Sequence, residues 1–129
     1  MKEVQKIYQF NIQETLTNQQ ALALLKTFLE QYRGGNESIP YQCIAVYKQC
    51  GEYTGRSYKS LLTLDELEKL KNLGLPRHLE SELLTQIQTG DYDNITHCLM
   101  RIQGEMCNNI ELSIEYKDYK NAISKKLHQ

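Results

Sequence analysis

The order and type of the residues predict three strands, two of them from the alternation of apolar and polar positions. Every second residue is apolar in KIYQFNI (residues 6–12) and in NNIELSIEY (residues 108–116), which is the period of a strand with one buried face. In the second segment the residues predicted to point inward are Ile110, Leu112, Ile114 and Tyr116. A third segment, YQCIAVYKQC (residues 41–50), is short and rich in β-branched and aromatic residues, so it is also predicted to be a strand.

Helical spacing of apolar residues, together with capping residues, predicts a helix after the first strand and two more in the middle of the chain. The first begins at a capping box formed by Thr17 and Gln20, and it ends at Gly34. The first of the middle pair begins at a capping box formed by Thr63 and Glu66 and ends at Gly74. The second begins at Pro76 and ends at Gly90.

Two further helices are predicted in the last third of the chain. In DYDNITHCLMRIQG (residues 91–104) the β-branched residues favour a strand, but the apolar residues are spaced for one face of a helix, and Gly104 is a suitable stop. The apolar residues of that face are Ile95, Cys98, Leu99 and Ile102. The segment KDYKNAISKKLHQ (residues 117–129) is predicted to form a short final helix.

Together these elements predict an α+β fold: a small mixed or antiparallel sheet with helices packed on one face. A chain of 129 residues without a linker of distinct composition is expected to form a single globular domain over residues 1–129.

Composition narrows the class of protein. Charged residues make up 24% of the chain and apolar residues 40%, with a net charge of -1, as in ordinary soluble proteins. The first residues lack the apolar core of a secretory signal, and no run of apolar residues approaches the length of a membrane span. A cytoplasmic location is therefore expected, and a membrane partner is not.

The cysteines show no metal-binding spacing. Cys43, Cys50, Cys98 and Cys107 are separated as C-x6-C and C-x8-C, without the C-x-x-C pairs of zinc sites. In a cytoplasmic protein they are expected to be reduced thiols, and no metal or cofactor is predicted. Whether these four residues meet in space, as a structural zinc site requires, is left open by the sequence.

One segment carries the candidate binding residues. YKQCGEYTGRSYKS (residues 47–60) contains two glycines before an arginine and a serine, but the spacing, the arginine and the lack of an immediate helix start do not match a phosphate-binding P-loop. A plain β-hairpin is the simpler interpretation. Its exposed side chains form the predicted contact surface for a protein partner: Tyr47, Tyr53, Arg56 and Tyr58.

The predicted function is that of a small non-enzymatic protein-binding domain: an inhibitor, an immunity or antitoxin-like factor, or an adaptor. No nucleophile or carboxylate pair stands in a catalytic pattern, and the nine tyrosines suit a surface that contacts partners or forms a homo-oligomer. The alternative is a binder of a phosphate-bearing ligand, either a nucleotide-like signal or single-stranded nucleic acid. Its predicted contacts are Lys48, Arg56 and Lys59.

Overall fold

The structure is a computed structural model, and it describes residues 9–32, 38–56 and 61–127, with side chains through Lys125. Seven α-helices lie within these ranges. They are α1 (Ile12–Thr17), α2 (Gln19–Gln31), α3 (Ile39–Thr54), α4 (Leu64–Asn72), α5 (Arg77–Thr89), α6 (Tyr92–Leu112) and α7 (Ile114–Leu127).

The predicted α+β fold is wrong. Helices account for 84% of the described residues, and none of these residues belongs to a strand. The protein is therefore all-α over the described ranges, and the predicted sheet does not form there. The three predicted strands failed for different physical reasons.

The predicted strand at residues 41–50 is part of α3. Its buried residues are spaced by three and four positions, as on one face of a helix, and they are Cys43, Ile44, Val46 and Cys50. Propensity for β-structure mainly describes how a side chain fits a half-buried pleated surface, and packing overrides it here.

The predicted strand at residues 108–116 is divided between two helices. Helix α6 does not stop at Gly104, because its buried face continues every four residues through Ile102, Met106 and Ile110. The chain bends at Ser113, and α7 then begins a new buried face with Tyr116. The two-residue alternation therefore arises where two helical faces meet.

The first predicted strand fails in its described part. Asn11 caps α1, since its side chain accepts a hydrogen bond from the Glu14 backbone N–H at 2.7 Å and the Glu14 carboxylate accepts one from the Asn11 N–H at 3.2 Å. The other residues of that strand, 6–8, lie outside the described residues.

The two middle helices are confirmed. Thr63 and Glu66 form the predicted capping box of α4, and Gly74 follows the helix with a φ of 111°. Pro76 is the N-cap of α5 rather than its first helical residue, and Gly90 ends that helix in the left-handed conformation at φ 71°.

The predicted start of α2 is wrong by one residue. Asn18 is the N-cap, and its side-chain oxygen accepts a hydrogen bond from the Ala21 backbone N–H at 2.9 Å. Thr17 instead ends α1, where its hydroxyl donates to the Gln13 carbonyl at 3.0 Å. The predicted stop at Gly34 lies outside the described residues.

The chain divides into two compact units, Met1–Tyr41 with Cys107–Gln129, and Gln42–Met106. In the first unit α1 packs on α2 and α2 packs on α7. An aromatic group joins α2 to α7. The centroid of the Phe28 ring lies 5.2 Å from that of Tyr32 and 5.7 Å from that of Tyr119. Tyr32 also donates a hydrogen bond to Asp118.

In the second unit α4 packs on α5, and parts of α3 and α6 complete the core. The fully buried side chains of this unit include Ile44, Val46, Leu70, Leu79, Leu83, Ile102 and Met106. Gln103 on α6 donates a hydrogen bond to the carbonyl of Tyr47 on α3 at 3.2 Å.

The position of the α2 cap gives a stability prediction. Asn18→Ala should lower the free energy of unfolding by about 1 kcal/mol, because the Ala21 N–H loses its side-chain acceptor. Thr17→Ala is the matched control and should cost clearly less, since the Thr17 hydroxyl satisfies no backbone N–H at the start of α2. Urea unfolding followed by circular dichroism measures both, and a larger loss for Thr17→Ala would contradict the assigned helix start.

Candidate functional site

The segment predicted to be a hairpin is mostly helical. Residues 47–54 belong to α3, so the hairpin prediction is wrong there, while Tyr58 and Lys59 lie outside the described residues. Gly51 stands within α3, and the backbone N–H of Gly55 donates to the Gly51 carbonyl at 3.0 Å. These backbone groups serve the helix, which supports the rejection of a phosphate-binding loop.

Arg56 is already engaged within its own unit. Its guanidinium forms an ion pair with Glu66 and lies 4.9 Å from the centroid of the Tyr53 ring, and only 17% of its side chain is exposed. Burial raises the pKa of Tyr53, although the Arg56 charge opposes that shift. Arg56 therefore contacts both Tyr53 and Glu66.

The other predicted contact residues on α3 do not form one exposed group. Lys48 is exposed, whereas Tyr47 is half-buried and its carbonyl accepts the Gln103 hydrogen bond. The structure thus brings Tyr53 and Arg56 together but leaves no continuous surface of exposed tyrosines along the described part of this segment.

The four cysteines are free thiols, and three of them are buried. Within the described residues no group of three or more histidine, cysteine or acidic side chains is placed to hold a metal ion. Burial, and to a smaller extent the neighbouring Cys98, raises the pKa of Cys50 to about 12. A neutral thiol is a poor nucleophile, so Cys50 is not activated for chemistry near neutral pH.

A polar depression of about 320 Å³ lies in the second unit, and its lining residues are Gln86, Asn94, His97, Cys98 and Arg101. Burial raises the pKa of the Cys98 thiol, so the thiolate is disfavoured there. Arg101 forms an ion pair with Glu82 on the surface. The Cys98 thiol of this depression is therefore not activated, and the charge of Arg101 is already paired.

A second depression, of about 530 Å³, lies in the first unit and is lined by large apolar side chains. Ile39, Leu112 and Ile114 are 66%, 69% and 66% exposed, and all three line it. Its polar lining consists of Asn109, Ser113 and Glu115. We call this site the apolar depression. Exposed apolar side chains that gather around one concavity are typical of interaction sites.

The helix break at Ser113 creates this arrangement. The Ser113 hydroxyl donates to the Ile110 carbonyl at 2.6 Å, and it accepts from the Tyr116 N–H at 3.2 Å, which caps the start of α7. Because the chain bends there, Leu112 ends one helix and Ile114 begins the next, and neither joins the buried face of its own helix.

The sequence contained a signal for this site that the strand interpretation hid. The buried faces of α6 and α7 follow helical spacing through Ile110 and from Tyr116 onward. With the chain divided at Ser113, Leu112 falls outside the series of α6 and Ile114 falls outside that of α7. Large apolar residues that lie off the buried face of a helix are candidates for an interaction surface.

The chain matches none of the family models, curated proteins or solved structures with which it was compared. Within the part of the chain that the structure describes, no helix is both long enough and apolar enough to cross a membrane.

The raised pKa of Cys50 gives a pH prediction. The pKa of the folded thiol is about 12 and that of an ordinary cysteine is 9.0, so between these values the folded state keeps the proton that the unfolded state loses. The free energy of unfolding should therefore fall as pH rises from 9 towards 12, with a Cys50 contribution of at most about 1.4 kcal/mol per pH unit.

Cys50→Ala isolates this contribution, because the variant loses packing at every pH but also loses the titrating group. Its stability deficit relative to the unmodified protein should shrink above pH 9. Val46→Ala is the matched control, since Val46 is equally buried on α3 and does not titrate. Urea unfolding at several pH values, in the presence of a reductant, tests this. Equal pH slopes for the unmodified protein and Cys50→Ala would contradict it.

Proposed function

We propose that this chain is a small non-enzymatic, cytoplasmic protein-binding domain, and that it holds its partner at the apolar depression. The inhibitor, immunity or antitoxin-like and adaptor classes all fit such a domain. One observation carries the proposal: Ile39, Leu112 and Ile114, each about two-thirds exposed, line a single concavity. Water contact with so much apolar surface is unfavourable, and a partner that covers it removes this cost.

The three apolar side chains are expected to supply a large share of the binding energy. Full burial of one leucine or isoleucine side chain contributes about 1.5 to 3 kcal/mol relative to its exposed state, and three such residues are grouped here. Most of the binding energy at protein interfaces comes from a few central residues, surrounded by polar groups that exclude water. Asn109 and Glu115 supply such polar groups beside the apolar ones.

This location replaces part of the contact surface predicted from the sequence. Arg56 is engaged with Tyr53 and with Glu66, and Tyr47 is half-buried, so these residues offer less free contact area than the apolar depression. A contact through Tyr58 stays a prediction, because Tyr58 lies outside the described residues.

The phosphate-binding alternative is less well supported. It depends on Arg56, whose charge is compensated by Glu66. Of the three predicted phosphate contacts, Lys48 is then the one described residue whose charge is not paired in this way. Lys59, the third predicted contact, lies outside the described residues. No observation favours it over the protein-binding function.

The test uses affinity purification from the source cells with three forms of the chain as bait. The double variant Leu112→Gln with Ile114→Gln should lose partner proteins that the unmodified chain retains, because the apolar contacts are removed. Leu64→Gln is the matched control: Leu64 is 61% exposed on α4 and does not line the depression, so its variant should retain the same partners.

Folding must be unchanged for this comparison to be valid. Both substituted residues are mostly exposed, so the free energy of unfolding of the double variant should stay within about 1 kcal/mol of the unmodified value. Calorimetry with the purified partner should show at least a tenfold weaker complex, which corresponds to about 1.4 kcal/mol. Equal affinity for the partner would overturn the proposed site.

A further inference from the structure

Resting on the proposed function, we propose that the partner segment held at the apolar depression carries large apolar side chains beside a lysine or arginine that pairs with Glu115. The juxtaposition of Glu115 with Leu112 and Ile114 around one concavity carries this inference. The apolar side chains alone would select an apolar partner segment, and Glu115 adds the requirement that this segment carry a positive charge.

Glu115 has unused bonding capacity. It lines the depression, it is partly exposed, and it makes no ion pair or hydrogen bond with any residue that the structure describes. Other carboxylates are engaged: Asp118 accepts from Tyr32, and Glu82 pairs with Arg101. The position of Glu115 in the first turn of α7 favours a negative charge there but leaves its oxygens open to a donor.

Among the residues that the structure describes, the depression carries a negative charge. None of the described residues that line it is a lysine, arginine or histidine. Glu111, which is exposed and precedes Leu112, adds a second carboxylate close by in the chain. Lys117 follows Glu115 by two positions, which places it roughly 200° around the helix and on another face. A cationic group on the partner is therefore the complementary charge.

The same charges disfavour other occupants. A second copy of this chain that packed its depression against the first in a symmetric pair would bring the two Glu115 carboxylates to the same interface. Anionic lipid headgroups and nucleic-acid phosphates would also meet carboxylates rather than cations. A protein segment with apolar anchors and a flanking basic residue satisfies both the apolar lining and the charge.

A library of random displayed peptides tests the chemistry without a known partner. Selection is carried out on the purified full chain, with an excess of the soluble Leu112→Gln, Ile114→Gln variant as competitor, so that only peptides that need the apolar depression are retained. Enriched peptides should combine at least two large apolar residues with lysine or arginine and should carry a net positive charge.

A charge exchange then tests the pairing. Glu115→Lys should weaken the best enriched peptide about threefold to fivefold, as expected for a partly exposed ion pair, and more salt should reduce the difference. Replacing the basic residue of the peptide by glutamate should restore affinity for Glu115→Lys but not for the unmodified chain. Glu68→Lys is the matched control on α4, because Glu68 is exposed and does not line the depression.

The outcomes separate this inference from the proposed function. Peptides that need Leu112 and Ile114 but do not respond to Glu115→Lys would overturn the charge requirement and leave the binding site standing. Failure to enrich any peptide that needs these residues would overturn both. A homodimer that the double variant abolishes, detected by light scattering at increasing concentration, would make a second copy the occupant and overturn the basic partner.

Discussion

The need of each helix to bury one apolar face controls the rest of this structure. Isolated helices of these lengths are marginal in water, so each must place its apolar stripe against another element. In α6 that stripe runs without interruption from Ile95 to Ile110 and carries the helix past Gly104. Glycine in a helix interior costs only about 1 kcal/mol, which the burial of Met106 and Ile110 readily offsets.

That same requirement explains why the candidate site lies where two helices meet. The apolar residues of a helix lie on one face only while the helix continues. The bend at Ser113 ends α6, and α7 then has an apolar face of its own. Leu112 and Ile114, on either side of this bend, do not belong to the stripe of their own helix. Leu112 and Ile114 are left at the surface for this reason, and Ile39 adds to them from the start of α3.

How much of this was visible in the sequence depended on the strength of local signals. Capping boxes and terminal glycines act within one turn of a helix, and they gave the limits of α4 correctly because Thr63, Glu66 and Gly74 form their own local contacts. Short apolar segments carry no such signal. Residues 41–50 satisfied both strand propensity and helical spacing, and tertiary packing decided between them. The sequence does not predict the apolar depression, because its alternation places Leu112 and Ile114 on a buried strand face.

Gly51, one of the two glycines in the segment that was compared with a phosphate-binding loop, affects the packing of α3 on α6. Gly51 presents only hydrogen towards α6, and a Cβ atom at this position would lie 3.2 Å from the Gln103 amide nitrogen, whose hydrogen bond ends on the Tyr47 carbonyl one turn earlier in α3. A methyl group at this position would crowd the amide, because 3.2 Å is shorter than ordinary van der Waals contact, and the hydrogen bond to Tyr47 would have to shift. The missing side chain of Gly51 therefore leaves the space in which Gln103 reaches from α6 to α3 within one unit.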